Sequence, residues 1–167
     1  MIQVYTGNGK GKTTAAFGLA LRAVGAGLNV YIGQFVKGRC YSEIKALKKI
    51  NNIKVEQFGR RCFIKKAPEK IDIQISREGF KKAKDVVAAG KHQVVILDEI
   101  NIAVKLGLIP LSDVLKLIKA TPKNIELILT GRDAHLKVIK SADLVSQVKE
   151  VKHYYTKGVK ARRGIEF

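Results

Sequence analysis

The chain has 167 residues, with 32 Lys and Arg against 14 Asp and Glu for a formal charge of +18, and 46% of its residues are apolar. This length and apolar fraction fit one domain with its own core, and they exclude a disordered polycation, which would lack the branched aliphatic residues found throughout. The longest apolar stretches, such as Val94-Val95-Ile96-Leu97, fall far short of the roughly 20 residues that a membrane-spanning helix needs.

Met1 runs straight into the β-rich Ile2-Gln3-Val4-Tyr5, with no charged leader and no small-residue cleavage site, so the fold is expected to start with a strand over 2–6. A glycine-broken loop over 7–11 follows, then an alanine-rich helix over 13–26. The pattern next predicts a strand over 29–36, a helix over 42–50 with Ser42 as its cap, and a strand over 53–58. Residues 68–89 read as a long helix, with Pro68 near its first turn and Gly90 just past its end. The continuous apolar run over 94–97 reads as a strand buried on both faces. A helix to Lys119 capped by Ser112, a buried strand over 125–129, a short helix over 134–141 and a strand over 144–151 complete the series. Strands alternating with helices predict an α/β fold, a mostly parallel sheet with helices on both faces and right-handed crossovers.

Cys40 and Cys62 have neither metal-ligand nor C-x-x-C spacing, which makes a reducing cytoplasm the expected compartment. His92, His135 and His153 are scattered and near no acidic or thiol cluster, so no zinc site is expected.

The most informative stretch is Thr6-Gly7-Asn8-Gly9-Lys10-Gly11-Lys12-Thr13-Thr14, between the first strand and the first helix. Such a turn aims backbone N–H groups and a helix N-terminus at a phosphate chain, with Lys12 adding charge and Thr13 a hydroxyl for Mg²⁺. Thr6 stands where the Walker A pattern has its first glycine, but Gly11-Lys12-Thr13 is intact. A tight turn alone leaves the two lysines and two threonines among these glycines unexplained. The strand over 94–97 ends in Asp98 and Glu99, a Walker B pattern that brings carboxylates to the metal at the sheet's carboxyl edge. Hydrolysis would use Glu99 to polarise a water, whereas group transfer at another atom of ATP would use it as a metal ligand. The motifs alone leave both open.

With Ala15-Ala16-Phe17-Gly18 after the loop, Gln34-Phe35-Val36-Lys37-Gly38, Leu97-Asp98-Glu99, Leu129-Thr130-Gly131-Arg132, Ala142-Asp143-Leu144-Val145, and Lys152-His153 followed by Gly158, Ala161 and Gly164-Ile165-Glu166, the chain resembles the CobA/CobO type of ATP:corrinoid adenosyltransferase. The resemblance spans nearly the whole chain in order. It implies a RecA-like P-loop fold and transfer of the 5′-deoxyadenosyl group of ATP to Co(I) of a corrinoid, either cobalamin or an early a,c-diamide intermediate, with release of triphosphate. It further implies that Gly7, Asn8, Gly9, Lys10, Gly11, Lys12, Thr13 and Thr14 bind ATP in a reversed sense, with Arg22 a further nucleotide contact. Lys12, Thr13 and Glu99 then act on the leaving group, and Thr13, Asp98 and Glu99 hold Mg²⁺. Apolar side chains of the loop after the third strand displace cobalt's lower axial ligand. The chain has no Trp, so Phe63 and Ile64 are the candidates there. A homodimer is also implied.

A RecA-like ATPase or kinase with a basic nucleic-acid-binding surface is the alternative from a different class. It predicts ADP and phosphate as products and stimulation by nucleic acid with steep salt dependence. No nucleic-acid reader motif accompanies the charge, so neither nucleic acid nor a membrane is expected as a partner. Residues 37–91 hold 16 Lys and Arg against 6 Asp and Glu and flank the expected cobalt loop. That cluster suggests an acidic electron donor, a flavodoxin or ferredoxin.

Overall fold

The computed structural model describes residues 1–39, 41–60 and 67–167. The apolar runs form strands β1 (Ile2–Thr6), β2 (Val30–Phe35), β3 (Ile53–Phe58), β4 (Val94–Asp98), β5 (Glu126–Thr130) and β6 (Leu144–Gln147). They make one sheet in the order β3-β2-β4-β5-β1-β6, and every pairing is parallel. The helices are α1 (Lys12–Gly25), α2 (Ser42–Leu47), α3 (Lys70–Ala89), α4 (Ile100–Lys105), α5 (Leu111–Ala120) and α6 (Leu136–Lys140).

Side chains that alternate along each strand feed two cores, because successive residues point to opposite faces. Val30, Ile32, Val94, Ile96 and Ile128 pack with Ala16, Phe17 and Ala20 of α1 and with Ile44 and Leu47 of α2. Tyr31, Phe35, Val95, Leu97, Leu127 and Leu129 pack with residues of α3, α4 and α5 and with Val138 of α6. The connections that run toward β3 use α1 and α2 on one face. Those that run toward β6 use α3 to α6 on the other, as a single crossover hand requires. The sheet's direction of growth therefore reverses beside β1, and the crevice at that reversal lies over the carboxyl ends of the strands.

Several expected boundaries shift. Helix α2 stops at Leu47 and α5 starts at Leu111, so Ser42 and Ser112 lie inside the first turns, with Tyr41 and Pro110 at the N-caps. Helix α3 begins at Lys70 behind a reciprocal capping box of Glu69 and Asp72. Helix α4 has no counterpart in the sequence reading. Its apolar residues continue the strand's apolar run, and Glu99 breaks the two apart by taking a left-handed conformation, φ 61°. Strand β6 ends at Gln147 rather than 151, because the next residues leave the sheet to lie against the glycine loop.

Candidate functional site

Strand β1 ends at Thr6, whose buried hydroxyl accepts the N–H of Ala134 at 3.2 Å. That bond gives a threonine a use where the Walker pattern has glycine. Gly7 follows with φ 97°, and a Cβ there would lie 2.4 Å from the Val148 carbonyl oxygen. A Cβ on Gly9 would lie 2.8 Å from the Lys149 carbonyl carbon, and the Gly9 N–H donates to Val148 O at 2.8 Å. These two glycines thus serve the close approach of the segment after β6. Asn8 joins them by accepting the Glu150 N–H at 3.2 Å. Gly11 differs: its φ is 120° and a Cβ would meet none of the described residues within 4 Å, so its task is the turn into α1.

Helix α1 starts at Lys12, and its first-turn N–H groups have no partners within the helix. The buried Lys12 ammonium folds back to donate to Gly9 O at 2.6 Å. Burial pushes its pKa below the usual lysine range, opposed by Glu99 and assisted by Arg132 and Lys37. A site that strips water from a lysine and aims a helix N-terminus at the same point is built for a polyanion.

Opposite the loop lies a carboxylate cluster. Asp98 is fully buried and accepts hydrogen bonds from Thr13 Oγ1 at 2.8 Å, Thr130 Oγ1 at 2.6 Å and Gln34 Nε2 at 2.9 Å. Thr130 Oγ1 also accepts the Glu99 N–H at 3.0 Å, fixing the left-handed turn that points Glu99 inward. Into this cluster comes the Lys37 ammonium, 3.0 Å from Glu99 Oε1, 3.4 Å from Asp98 Oδ2 and 3.4 Å from Thr13 Oγ1. Burial lowers the Lys37 pKa, but Asp98 and Glu99 outweigh it and hold the group above its ordinary value. Lys37 is aimed by strain: Val36 before it has φ 65°, and the Lys37 N–H bonds Phe35 O at 2.7 Å across a three-residue turn. A β-branched residue in that region costs about 1–2 kcal/mol, a cost that tends to persist at functional sites.

The site continues sideways. Gln57 Nε2 donates to Gln34 Oε1 at 2.8 Å and to Arg39 O at 2.9 Å, extending the amide chain from Asp98 across β2 to β3. The loops after these two strands touch backbone to backbone, since a Cβ on Gly38 would lie 2.2 Å from Gly59 O. Arg60 then grips Asp72 through a fork, Nε to Oδ1 at 2.6 Å and Nη2 to Oδ2 at 2.8 Å. It thereby ties the chain just after β3 to the foot of α3. Phe63 and Ile64 lie outside the described residues.

The last residues return to the glycine loop. After a 3-10 turn at Tyr154–Lys157, Glu166 meets the Tyr154 hydroxyl and Arg162, and Lys10 Nζ reaches Ile165 O at 3.1 Å and Glu166 Oε1 at 3.4 Å. Arg162 and then Tyr154 hold the Glu166 carboxyl well below its usual range, at about 2.

Of the expected site residues, residues 7–14 form one continuous cradle, and Thr13, Asp98 and Glu99 meet around one cation. Arg22 does not join them: it is exposed in the last turn of α1, about 15 Å along the helix from Lys12 at 1.5 Å per residue. The sequence motifs assign no role to Lys37, Gln34 or Thr130. The available signal was a polar residue closing an otherwise apolar strand, at Gln34 on β2 and Thr130 on β5. Among the described residues no helix is long and apolar enough to cross a membrane, and no three His, Cys, Asp or Glu side chains group as a metal site.

Comparison with solved structures finds a KaiC-like protein from the hyperthermophilic archaeon Pyrococcus horikoshii, with a TM-score of 0.59 at 18% identity over 91% of this chain and 74% of that one. At that identity the likeness concerns the fold alone, and it agrees with the expected RecA-like P-loop architecture. Among curated proteins, the corrinoid adenosyltransferase of Escherichia coli K12 is 36% identical over 167 residues, covering all of this chain and 85% of the relative. That of Salmonella typhimurium is 35% identical over the same span, and that of Pseudomonas aeruginosa is 33% identical over 185 residues, with 83% of the relative covered. The family model for ATP:corrinoid adenosyltransferase BtuR/CobO/CobP matches residues 1–167. With a family model that spans the whole chain and relatives at 33–36% identity matched over most of their length, the chain belongs to the ATP:corrinoid adenosyltransferase family.

Proposed function

We propose that this site transfers the 5′-deoxyadenosyl group of ATP to the reduced cobalt of a corrinoid, in the formation of adenosylcobalamin. The observation that carries this reading is the segment over residues 7–14, whose Thr13 hydroxyl donates to Asp98 beside Glu99, in a chain of this family. The Co(I) electron pair attacks C5′ as the C5′–O bond breaks, and that bond's electron pair leaves on the triphosphate. The nucleophile carries no proton, so the site needs no general base. In keeping with that, Glu99 is engaged by the Lys37 ammonium instead of facing open solvent.

The task left to the protein is to hold a leaving group with several negative charges. Lys12, the first-turn amides of α1 and the loop amides other than that of Gly9, which bonds Val148, bind it. A hydroxyl and two carboxylates are hard oxygen donors and already surround one cation, a set that suits Mg²⁺. Thr13, Asp98 and Glu99 would hold the ion, which when bound neutralises charge on the departing triphosphate. Arg22, at the far end of α1, has no part in phosphate binding in this account.

Reduction of the corrinoid requires an electron donor, and the basic stretch over 37–91 suits an acidic flavodoxin or ferredoxin in a reducing cytoplasm. The nucleic-acid-dependent ATPase reading is not favoured by the comparisons. Incubation with MgATP and chemically reduced corrinoid tests the proposal. The expected product is a light-sensitive Co–C spectrum, and an unchanged corrinoid spectrum with ATP consumed would reject it.

A further inference from the structure

The three oxygens assigned above to Mg²⁺ are the same three that Lys37 contacts. Its ammonium lies 3.0 Å from Glu99 Oε1, 3.4 Å from Asp98 Oδ2 and 3.4 Å from Thr13 Oγ1. Nothing in the phosphate-loop or Walker B patterns calls for a lysine there, and it comes from a different strand, β2. Its approach is also built. Val36 takes a left-handed conformation to turn the chain back at Lys37, and Glu99 takes one from the other side. Thr130 fixes the second of these turns through the Glu99 N–H. Two strained residues thus converge on one ion pair, a pattern that fits a functional contact better than a stabilising one.

We propose that Lys37 is a catalytic residue that exchanges places with the metal: it holds Thr13, Asp98 and Glu99 together, yields them as MgATP enters, and delivers its ammonium to the triphosphate. This rests on the reading of those three residues as the Mg²⁺ holders. A second cation on these oxygens would meet the ammonium's like charge at contact range, so the two compete. The lysine carries one charge on a flexible stem, and the nearest anion for it once displaced is the triphosphate held by Lys12 and the first turn of α1, next to Thr13. The exchange leaves a cation on the carboxylates at every stage, so Asp98 is never buried unpaired. It also adds one positive charge to the leaving group when that group is bound. The backbone of Lys37 lies against Gly59, where an added Cβ would lie 2.7 Å from Lys37 N.

Mn²⁺ serves as the probe, titrated by electron paramagnetic resonance into the nucleotide-free protein. In Lys37→Met, Mn²⁺ should bind about tenfold or more tightly than in the wild type, the scale of removing one like charge at contact range in a partly buried site. Lys37→Arg, which keeps the charge, should bind like the wild type. In adenosyl transfer Lys37→Met should lose kcat by about tenfold or more with a smaller change in KM for MgATP, as expected for a contact made to the developing charge. Equal or weaker Mn²⁺ affinity in Lys37→Met, or no saturable binding in either protein, overturns the exchange. Should the variant not fold, the wild type decides: the Lys37 ¹³Cε resonance must shift when MgATP is added without corrinoid, and an unmoved resonance refutes the proposal. Since the Mn²⁺ titration uses neither ATP nor corrinoid, its failure removes this role from Lys37 and leaves adenosyl transfer standing.

Discussion

Thr130→Val removes a hydroxyl that does two jobs in a fully buried position, at nearly constant side-chain volume. Thr130 Oγ1 donates to Asp98 Oδ1 at 2.6 Å and accepts the Glu99 N–H at 3.0 Å. A hydrogen bond to a charged group contributes about 1.5–3 kcal/mol, and a buried N–H left without a partner costs about 1–3 kcal/mol. Asp98 keeps Thr13 and Gln34 as donors, so part of the first term survives. The net loss should be about 3 kcal/mol, which in a chain of this size lowers Tm by about 6–12 °C. Differential scanning calorimetry of wild type, Thr130→Val and Thr130→Ser measures it, with the serine variant expected to recover most of the loss. The valine variant should also lose kcat, because the left-handed Glu99 turn is no longer fixed. A Thr130→Val protein within about 0.5 kcal/mol of wild type, the range of ordinary surface changes, would show that this hydroxyl does not organise the carboxylates.

Two glycines inside helices should respond in opposite ways. Gly18 of α1 is exposed with none of the described residues within 4 Å of an added Cβ, so Gly18→Ala should raise stability by about 0.5–1 kcal/mol in thermal melts, whereas Gly79→Ala of α3 should lower it because its Cβ would lie 2.1 Å from the Phe58 ring. Among the described residues, His92 has a buried Nδ1 without a hydrogen-bond partner, and burial, then Lys54 and Lys91, lower its pKa in the folded protein. The unfolded chain therefore takes up this proton first, and stability falls as pH drops through about 6.5; Tm measured against pH should be flatter for His92→Phe, and an unchanged slope would refute the assignment. Glu166→Ala removes the partner of Lys10, Tyr154 and Arg162, so trypsin should cut faster after Lys152 and Lys157 while the Tm of the remainder hardly moves.

Elements whose signal is local were legible in the sequence. The strand, glycine turn and helix at residues 2–25 follow from alternation and from Gly7, Gly9 and Gly11, and the Asp98-Glu99 strand end follows from its apolar run. What the sequence hid is long-range. That Gly7 and Gly9 admit Val148 and Lys149 depends on β6 lying beside β1, and motif reading credits those glycines to phosphate alone. Lys37 meets Asp98 because β2 pairs with β4, bringing Gln34 opposite Asp98. The positive φ at Val36 runs against the preference of a β-branched residue, so no propensity predicts the turn that aims the lysine. The +18 charge gave the reverse lesson. The glycine loop over 7–14 holds only Lys10 and Lys12 of the 32 Lys and Arg, and most of the rest lie on exposed positions.

The proposed reaction cleaves ATP at C5′ and not between phosphates. Phosphorus NMR of a completed reaction with MgATP and reduced corrinoid reads this directly. One inorganic triphosphate per adenosylated corrinoid, with no ADP, is the expected outcome. ADP and orthophosphate in its place would contradict it.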